Sequence, residues 1–149
     1  MPIDMLLEVV TLPVSDIDRS KAFYENLGWR LDIELAFGDV RAVQFTPPRS
    51  PCSITLGQGL VDTPPGSVKR LELVVSDIEA ARDELLGHGV EVGPLYHRGP
   101  DGFAPGPDPE RRSYATYAEF ADPDDNTWLL QEVTERLPGR LWDDAAATA

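Results

Sequence analysis

The sequence predicts an α+β fold built from two tandem strand–helix–three-strand (βαβββ) modules. Val14-Ser15-Asp16-Ile17-Asp18 recurs as Val75-Ser76-Asp77-Ile78-Glu79, and the same offset of 61 residues carries Leu12 onto Leu73 and Gly28 onto Gly89. Each copy runs from an alternating apolar stretch through a Ser-Asp turn into a helical stretch closed by glycine. The length, 149 residues, is that of one domain, so the repeat divides a single folding unit rather than linking two full-sized ones.

The elements follow in order. Ser15 or Asp16 can accept from the orphan amides of a first turn, and Ile17, Phe23, Tyr24 and Leu27 make one apolar stripe, predicting a helix over 17–27. In the second copy Ile78, Ala81, Leu85 and Leu86 predict one over 78–87, with His88 at its C-terminal cap. Strand-like runs follow the first helix at 29–36, 40–46 and 52–56, and the second at 90–96, 114–121 and 127–133. The expected division is one domain over 1–149, with module 1 at 5–57, a linker at 58–67, module 2 at 68–135 and a fraying tail at 136–149. Residues 99–112 hold four prolines and three glycines and are expected to form an irregular loop.

Charge limits the partners. Thirteen Lys and Arg stand against 26 Asp and Glu, for a net charge of −13, which repels phosphate backbones and anionic lipid, so neither nucleic acid nor membrane is an expected partner. The apolar runs are too short to span a bilayer and the N-terminus lacks the basic region of a signal peptide, so a cytoplasmic setting is expected. One cysteine, Cys52, excludes an intrachain disulfide. No glycine-rich phosphate loop, Gly-x-Ser-x-Gly elbow, CxxC or HExxH occurs.

The duplicated unit, with Phe23-Tyr24-Glu25-Asn26-Leu27-Gly28 after the first Ser-Asp turn and Asp122-Pro123-Asp124-Asp125-Asn126 before the last strand, resembles the vicinal oxygen chelate superfamily, the glyoxalase, bleomycin-resistance and extradiol-dioxygenase group. The resemblance implies modules whose mixed sheets curl into a cup that holds a small molecule, and it implies a homodimer. In metal-using members three or four ligands lie at positions that fall here on Val9, Arg70 and Leu129, with Thr55 as the fourth. Val and Leu offer no lone pair and Arg brings a repelling charge, so no metal and no other cofactor is expected. A shifted register would instead draw on Glu72, His97 or Glu119.

Strand alternation then selects a cup face bearing Thr11 in the first strand and Arg70 and Glu72 in its echo. Arg70 and Glu72 either pair at the rim or clamp a ligand, Arg70 on an oxygen anion and Glu72 on an amine or as a general base. Gln44, Thr55, Leu129 and Gln131 are further ligand-binding candidates, with Phe103, Tyr114 and Tyr117 around the long loop. Phe103 is either exposed or folded over the cup as a lid. Glu72 and His97 are the candidate catalytic groups, and Asp108 and Glu110 are expected to be solvated. The expected function is metal-independent binding of an aromatic, quinone-like or cationic natural product, of the sequestration or resistance type. The alternative is an enzyme of the same fold, a lyase, isomerase, cyclase or dioxygenase-related activity.

Overall fold

A computed structural model describes residues 2–140; the expected fraying of 141–149 lies outside the described residues. The order is β1 (Val9–Pro13), α1 (Ile17–Asn26), β2 (Arg30–Phe37), β3 (Val40–Thr46), β4 (Ser53–Gln58), β5 (Leu71–Val75), α2 (Ile78–Gly87), β6 (Tyr96–Gly99), β7 (Gly102–Pro105), β8 (Thr116–Ala121) and β9 (Thr127–Glu132). Two compact units result, residues 2–68 with Pro123–Asn126, and Lys69–Asp122 with residues 127–140. No helix among the described residues is long and apolar enough to cross a membrane.

In the first unit β1, β4, β3 and β2 lie side by side, β1 parallel to β4 and the rest antiparallel. Cross-strand rows sort its side chains. Leu12, Leu56 and Val43 form one row, and Val10, Ile54 and Phe45 the next, so these residues share a face. Tyr24 of α1 is fully buried, its ring 6.0 Å from that of Phe45 and 5.1 Å from that of Trp29. The motif aromatic therefore serves the core.

The second unit orders its sheet β5-β9-β8-β6-β7, with β5 parallel to β9. Leu71, Trp128 and Phe120 form one core row and Leu73, Leu130 and Ala118 another, and the Phe120 and Trp128 rings stack at 6.3 Å. Here the sequence expectation needs two corrections. Residues 99–112 are not wholly irregular, because Gly102–Pro105 forms β7, a hairpin partner of β6. Pro105 is tolerated there because it ends a strand at the sheet edge, where no ladder donor is needed. The run expected at 90–96 contributes only a bridge from Val92 to Phe120 before β6 begins at Tyr96.

The repeat persists in atomic detail. Asp16 and Asp77 cap their helices with nearly the same backbone angles (φ −137°, ψ 99°; φ −140°, ψ 100°), accepting from Arg19 N–H and Ala80 N–H. The last residue of each unit's final strand also reaches its helix. Gln58 Oε1 accepts from Ile17 N–H at 3.2 Å, and Glu132 Oε2 accepts from Ile78 N–H at 3.0 Å.

The Asp-Pro-Asp-Asp-Asn turn is a clamp on the first unit. Asp124 accepts from Ser15 N–H, the Ser15 hydroxyl, Arg19 and the Ser20 hydroxyl. Asn126 donates to the Pro13 carbonyl at 3.2 Å and accepts from Val68 N–H at 3.2 Å. The Ser-Asp turn that opens α1 and the Asp-Pro-Asp-Asp-Asn turn thus bind each other.

Candidate functional site

The faces turned away from the helices hold most of the candidates. In the second unit, Val74, Gln131, Tyr117, Tyr96 and Pro105 form a row across all five strands, and Glu72, Leu129 and Glu119 form the adjacent row. Arg98 and its hairpin partner Phe103 extend the same face. Three rings meet there: Tyr96 stacks on Tyr117 at 5.4 Å, and Phe103 stands edge-on to both, at 5.6 and 5.9 Å. Phe103 is 67% exposed. An open depression of about 560 Å³ adjoins it, lined by Pro94, Leu95, Tyr96, Phe103, Ala104 and Pro105 together with Gly106.

Polar groups hold the cluster. The Tyr117 hydroxyl accepts from Arg98 at 3.2 Å and donates to the Tyr114 carbonyl at 2.9 Å, which also accepts from Gln131 Nε2 at 3.0 Å. Tyr114 can present that carbonyl because its backbone is left-handed, φ 69°. Its own hydroxyl accepts from Leu137 N–H, so its side chain is engaged away from the cluster and its role is positioning. Burial, first, and then the charge of the Glu119 carboxylate push the Tyr96 phenol above its ordinary pKa, with Arg70 acting against them.

The expected residues separate by burial. Glu72 and Glu119 are exposed on either side of Leu129, whereas Leu129 is fully buried and Gln131 and Tyr117 are 8% and 6% exposed. Those three make the floor of the face, and Phe103, Tyr96, Glu72 and Glu119 are its accessible part. Arg70 adopts a left-handed backbone, φ 61°, just before β5, its amide donating to Thr127 Oγ1 at 2.7 Å. Strand parity does not govern it, yet its charge acts on Tyr96. No ion pair joins Arg70 to Glu72 among the described residues.

His97 is not brought to this face. It follows Tyr96 by one residue, pairs with Thr116, and bonds through Nδ1 to the Gly106 carbonyl at 2.8 Å. Asp108 corrects another expectation. It is buried, and hydrogen bonds from Arg112 are the main reason its carboxyl falls to about 2; Arg112 N–H and Nε approach at 2.8 and 2.9 Å. A solvated loop residue would lack this anchorage.

In the first unit, the row opposite the core is Thr11, Thr55, Gln44 and Ile33, so the three predicted polar residues do adjoin one another. Leu35 and Phe37 follow Ile33 on this face, 52% and 57% exposed. They were not among the sequence candidates, although the spacing of Ile33, Leu35 and Phe37 carries a clear period of two. An irregularity at Asp32 turns its carboxylate toward Thr46 and Gln44, and the Arg30 hydrogen bond, then that of Thr46, hold it below the usual carboxylate range.

The residues do not fit a family-type metal. Val9, Thr55, Arg70 and Leu129 supply no competent donor set, and no group of three or more His, Cys, Asp or Glu suited to a metal occurs among the described residues. The shifted set fails through the parity that separates His97 from Glu72 and Glu119. Glu132 is committed to Ile78 and Arg111.

A family model described as bleomycin resistance protein-like N-terminal matches residues 9–45. No curated protein matches the chain in sequence. Among solved structures, TnmS3, an antibiotic binding protein from Streptomyces sp. CB03234, is 28% identical with a TM-score of 0.69, over 89% of this chain and 98% of its own. A glyoxalase/bleomycin resistance protein from Streptomyces sp. CB03234 is also 28% identical, with a TM-score of 0.65, over 85% of this chain and 100% of its own. A member of the glyoxalase/bleomycin resistance protein/dioxygenase superfamily from Sphaerobacter thermophilus DSM 20745 shares the fold at 24% identity and a TM-score of 0.68, over 87% of this chain and 98% of its own. The paired motifs, the doubled unit and these likenesses together support the resemblance of the chain to the vicinal oxygen chelate superfamily.

Proposed function

We propose that this protein binds and sequesters a small organic molecule with an aromatic or quinone-like ring system, held on the open face of the second sheet without a metal. The observation that carries the proposal is the Tyr96, Phe103 and Tyr117 cluster beside a depression of about 560 Å³, with Glu72 and Glu119 exposed on the same face. Planar rings are matched by such a surface, and the carboxylates favour ligands that also carry a cationic group. The name of TnmS3, an antibiotic binding protein, supports a natural-product antibiotic as the ligand class. The acidic surplus adds steering of cations. We place the protein in the cytoplasm and take its active form to be a homodimer, as the family resemblance implies.

The test is a thermal-shift screen of bleomycin, aromatic polyketide antibiotics and quinones, followed by calorimetric titration and mass analysis of the recovered compound. A raised Tm with unchanged compound is expected, because a ligand of the folded state alone stabilises it. Failure of every class to bind refutes the proposal. Conversion of a bound compound replaces it with the enzyme reading, for which Tyr96 and Glu119, in adjacent rows of this face, are the candidate proton-handling pair.

A further inference from the structure

We infer that Arg98 reads a coplanar pair of acidic or acceptor oxygens on the ring system of the bound molecule, at the end opposite to Glu72 and Glu119. This deepens the binding reading proposed above and rests on it.

Strand parity sets the two ends. Arg98 lies two residues beyond Tyr96 on β6 and pairs across the hairpin with Phe103. Glu119 lies two residues beyond Tyr117 on β8, which runs antiparallel to β6, so it falls on the other side of the row that Tyr96 and Tyr117 share. Glu72 is in the Glu119 row. Four residues of strand, about 14 Å at 3.4 Å per residue, therefore separate the carboxylate row from Arg98, with the rings between. Such a span suits a fused ring system that carries a different polar group at each end.

The Arg98 guanidinium is fixed but only partly engaged. Nη1 donates to the Tyr117 hydroxyl at 3.2 Å, and that hydroxyl is anchored on the Tyr114 carbonyl at 2.9 Å. The backbone beneath is held as well: Arg98 N–H donates to the Ala115 carbonyl at 2.9 Å, and the Arg98 carbonyl accepts from Arg112 Nη2 at 3.0 Å. Nε and Nη2 have no partner among the described residues, and Arg98 is exposed. These two nitrogens form the side edge of the guanidinium, a fork that fits two coplanar oxygens.

The chain had ample means to fill that fork itself. Its carboxylates outnumber its cations two to one, and Arg19, Arg30, Arg41, Arg111 and Arg112 each hold one. Arg98 holds none among the described residues, and its neighbours on the face, Phe103 and Tyr117, supply no carboxylate. Arg70, which the sequence put forward for an oxygen anion, stands two residues from Glu72, at the carboxylate end. Two ligand groups present the required oxygens: a carboxylate on the ring, or the carbonyl and ionised hydroxyl of a hydroxyquinone.

The experiment is calorimetric titration of the full chain with three probes sharing one ring system: anthraquinone-2-carboxylate, the hydroxyquinone alizarin, and neutral 2-(hydroxymethyl)anthraquinone. At least one oxygen-bearing probe should bind the unchanged protein about tenfold more tightly than the neutral one, and which one does so identifies the source of the oxygens. Arg98→Gln should abolish that preference and leave the neutral probe within about twofold of its parent Kd, whereas Arg98→Lys, which keeps the charge without the fork, should retain only part of it. Circular dichroism and Tm should stay near those of the parent, because Arg98 is exposed; if Arg98→Gln unfolds, Arg98→Lys carries the measurement. A preference that survives Arg98→Gln overturns the assignment, and its loss in Arg70→Gln would then place the oxygens at the carboxylate end. A parent that binds all three probes equally also overturns it, and in both cases ring binding on this face stands. Failure of all three probes to bind the parent overturns the inference together with the ring-binding reading beneath it.

Discussion

Replacing Phe103 with alanine separates binding from folding on the second sheet. Phe103 is 67% exposed, so of the roughly 200 Å² offered by a phenylalanine, about 130 Å² is open and available to a ligand. Covering that area is worth at most about 3 kcal/mol at 25 cal/mol per Å², equivalent to about a hundredfold in Kd. Ordering and imperfect contact take back part of this, so about a tenfold weakening is the expected outcome for Phe103→Ala. The folding cost has a separate ceiling. About 70 Å² of the ring is already covered, giving a loss of at most about 2 kcal/mol, and Phe103 lies on an edge hairpin rather than in either core. Calorimetric titration with the stabilising compound from the screen reads the first quantity, and urea unfolding reads the second. Phe103→Leu should recover part of the affinity by restoring apolar area without the ring. Equal affinity in parent and Phe103→Ala would refute the placement of the ligand at this cluster.

Two further outcomes test the scaffold. Gly66 has φ 81° and packs so closely that an added Cβ would lie 2.0 Å from the Asp124 carbonyl oxygen; Gly66→Ala should cost about 3 kcal/mol or more, read by urea unfolding, and a near-neutral result would contradict the clamp. Asp108 titrates lower folded than unfolded, so its contribution is complete above the ordinary aspartate pKa of about 4 and disappears as pH falls through about 2. Asp108→Asn should therefore have a lower Tm than the parent at pH 7, with the gap closing over that acid range; a gap that is constant with pH would show that the charge is not what anchors the turn.

The helices, both caps and most strands were legible because they rest on local chemistry, an aspartate before a 3.6-residue stripe or a period-two run. Residues 40–46 and 78–87 appear with the expected bounds. β7 was hidden because glycine and proline weigh against any strand, and only its place at an edge beside β6 excuses Pro105. The open faces followed from parity wherever parity held: Glu72, Gln131 and Tyr117 share a face, and Thr11, Gln44 and Thr55 share another. His97 lies one residue of register from Tyr96, and it is Tyr96 that takes the open side. Burial was the least legible quantity. Leu129 and Gln131 have the right parity but little or no accessible surface, and nothing in the local pattern says so. For Asp108 the signal is Arg112 four residues on, a spacing that joins side chains in a helix and here joins them within a turn.

The clamp formed by Asp124 and Asn126 also governs when the protein can complete itself. The first unit is discontinuous, with its final four residues coming from the turn between β8 and β9. During synthesis the β1–α1 corner must wait for nearly the whole second unit to be translated before Ser15, Ser20 and the Pro13 carbonyl meet these partners. A polypeptide ending at Val68 would leave the Pro13 carbonyl without its Asn126 donor, so the first unit is complete only when both halves of the sequence are present.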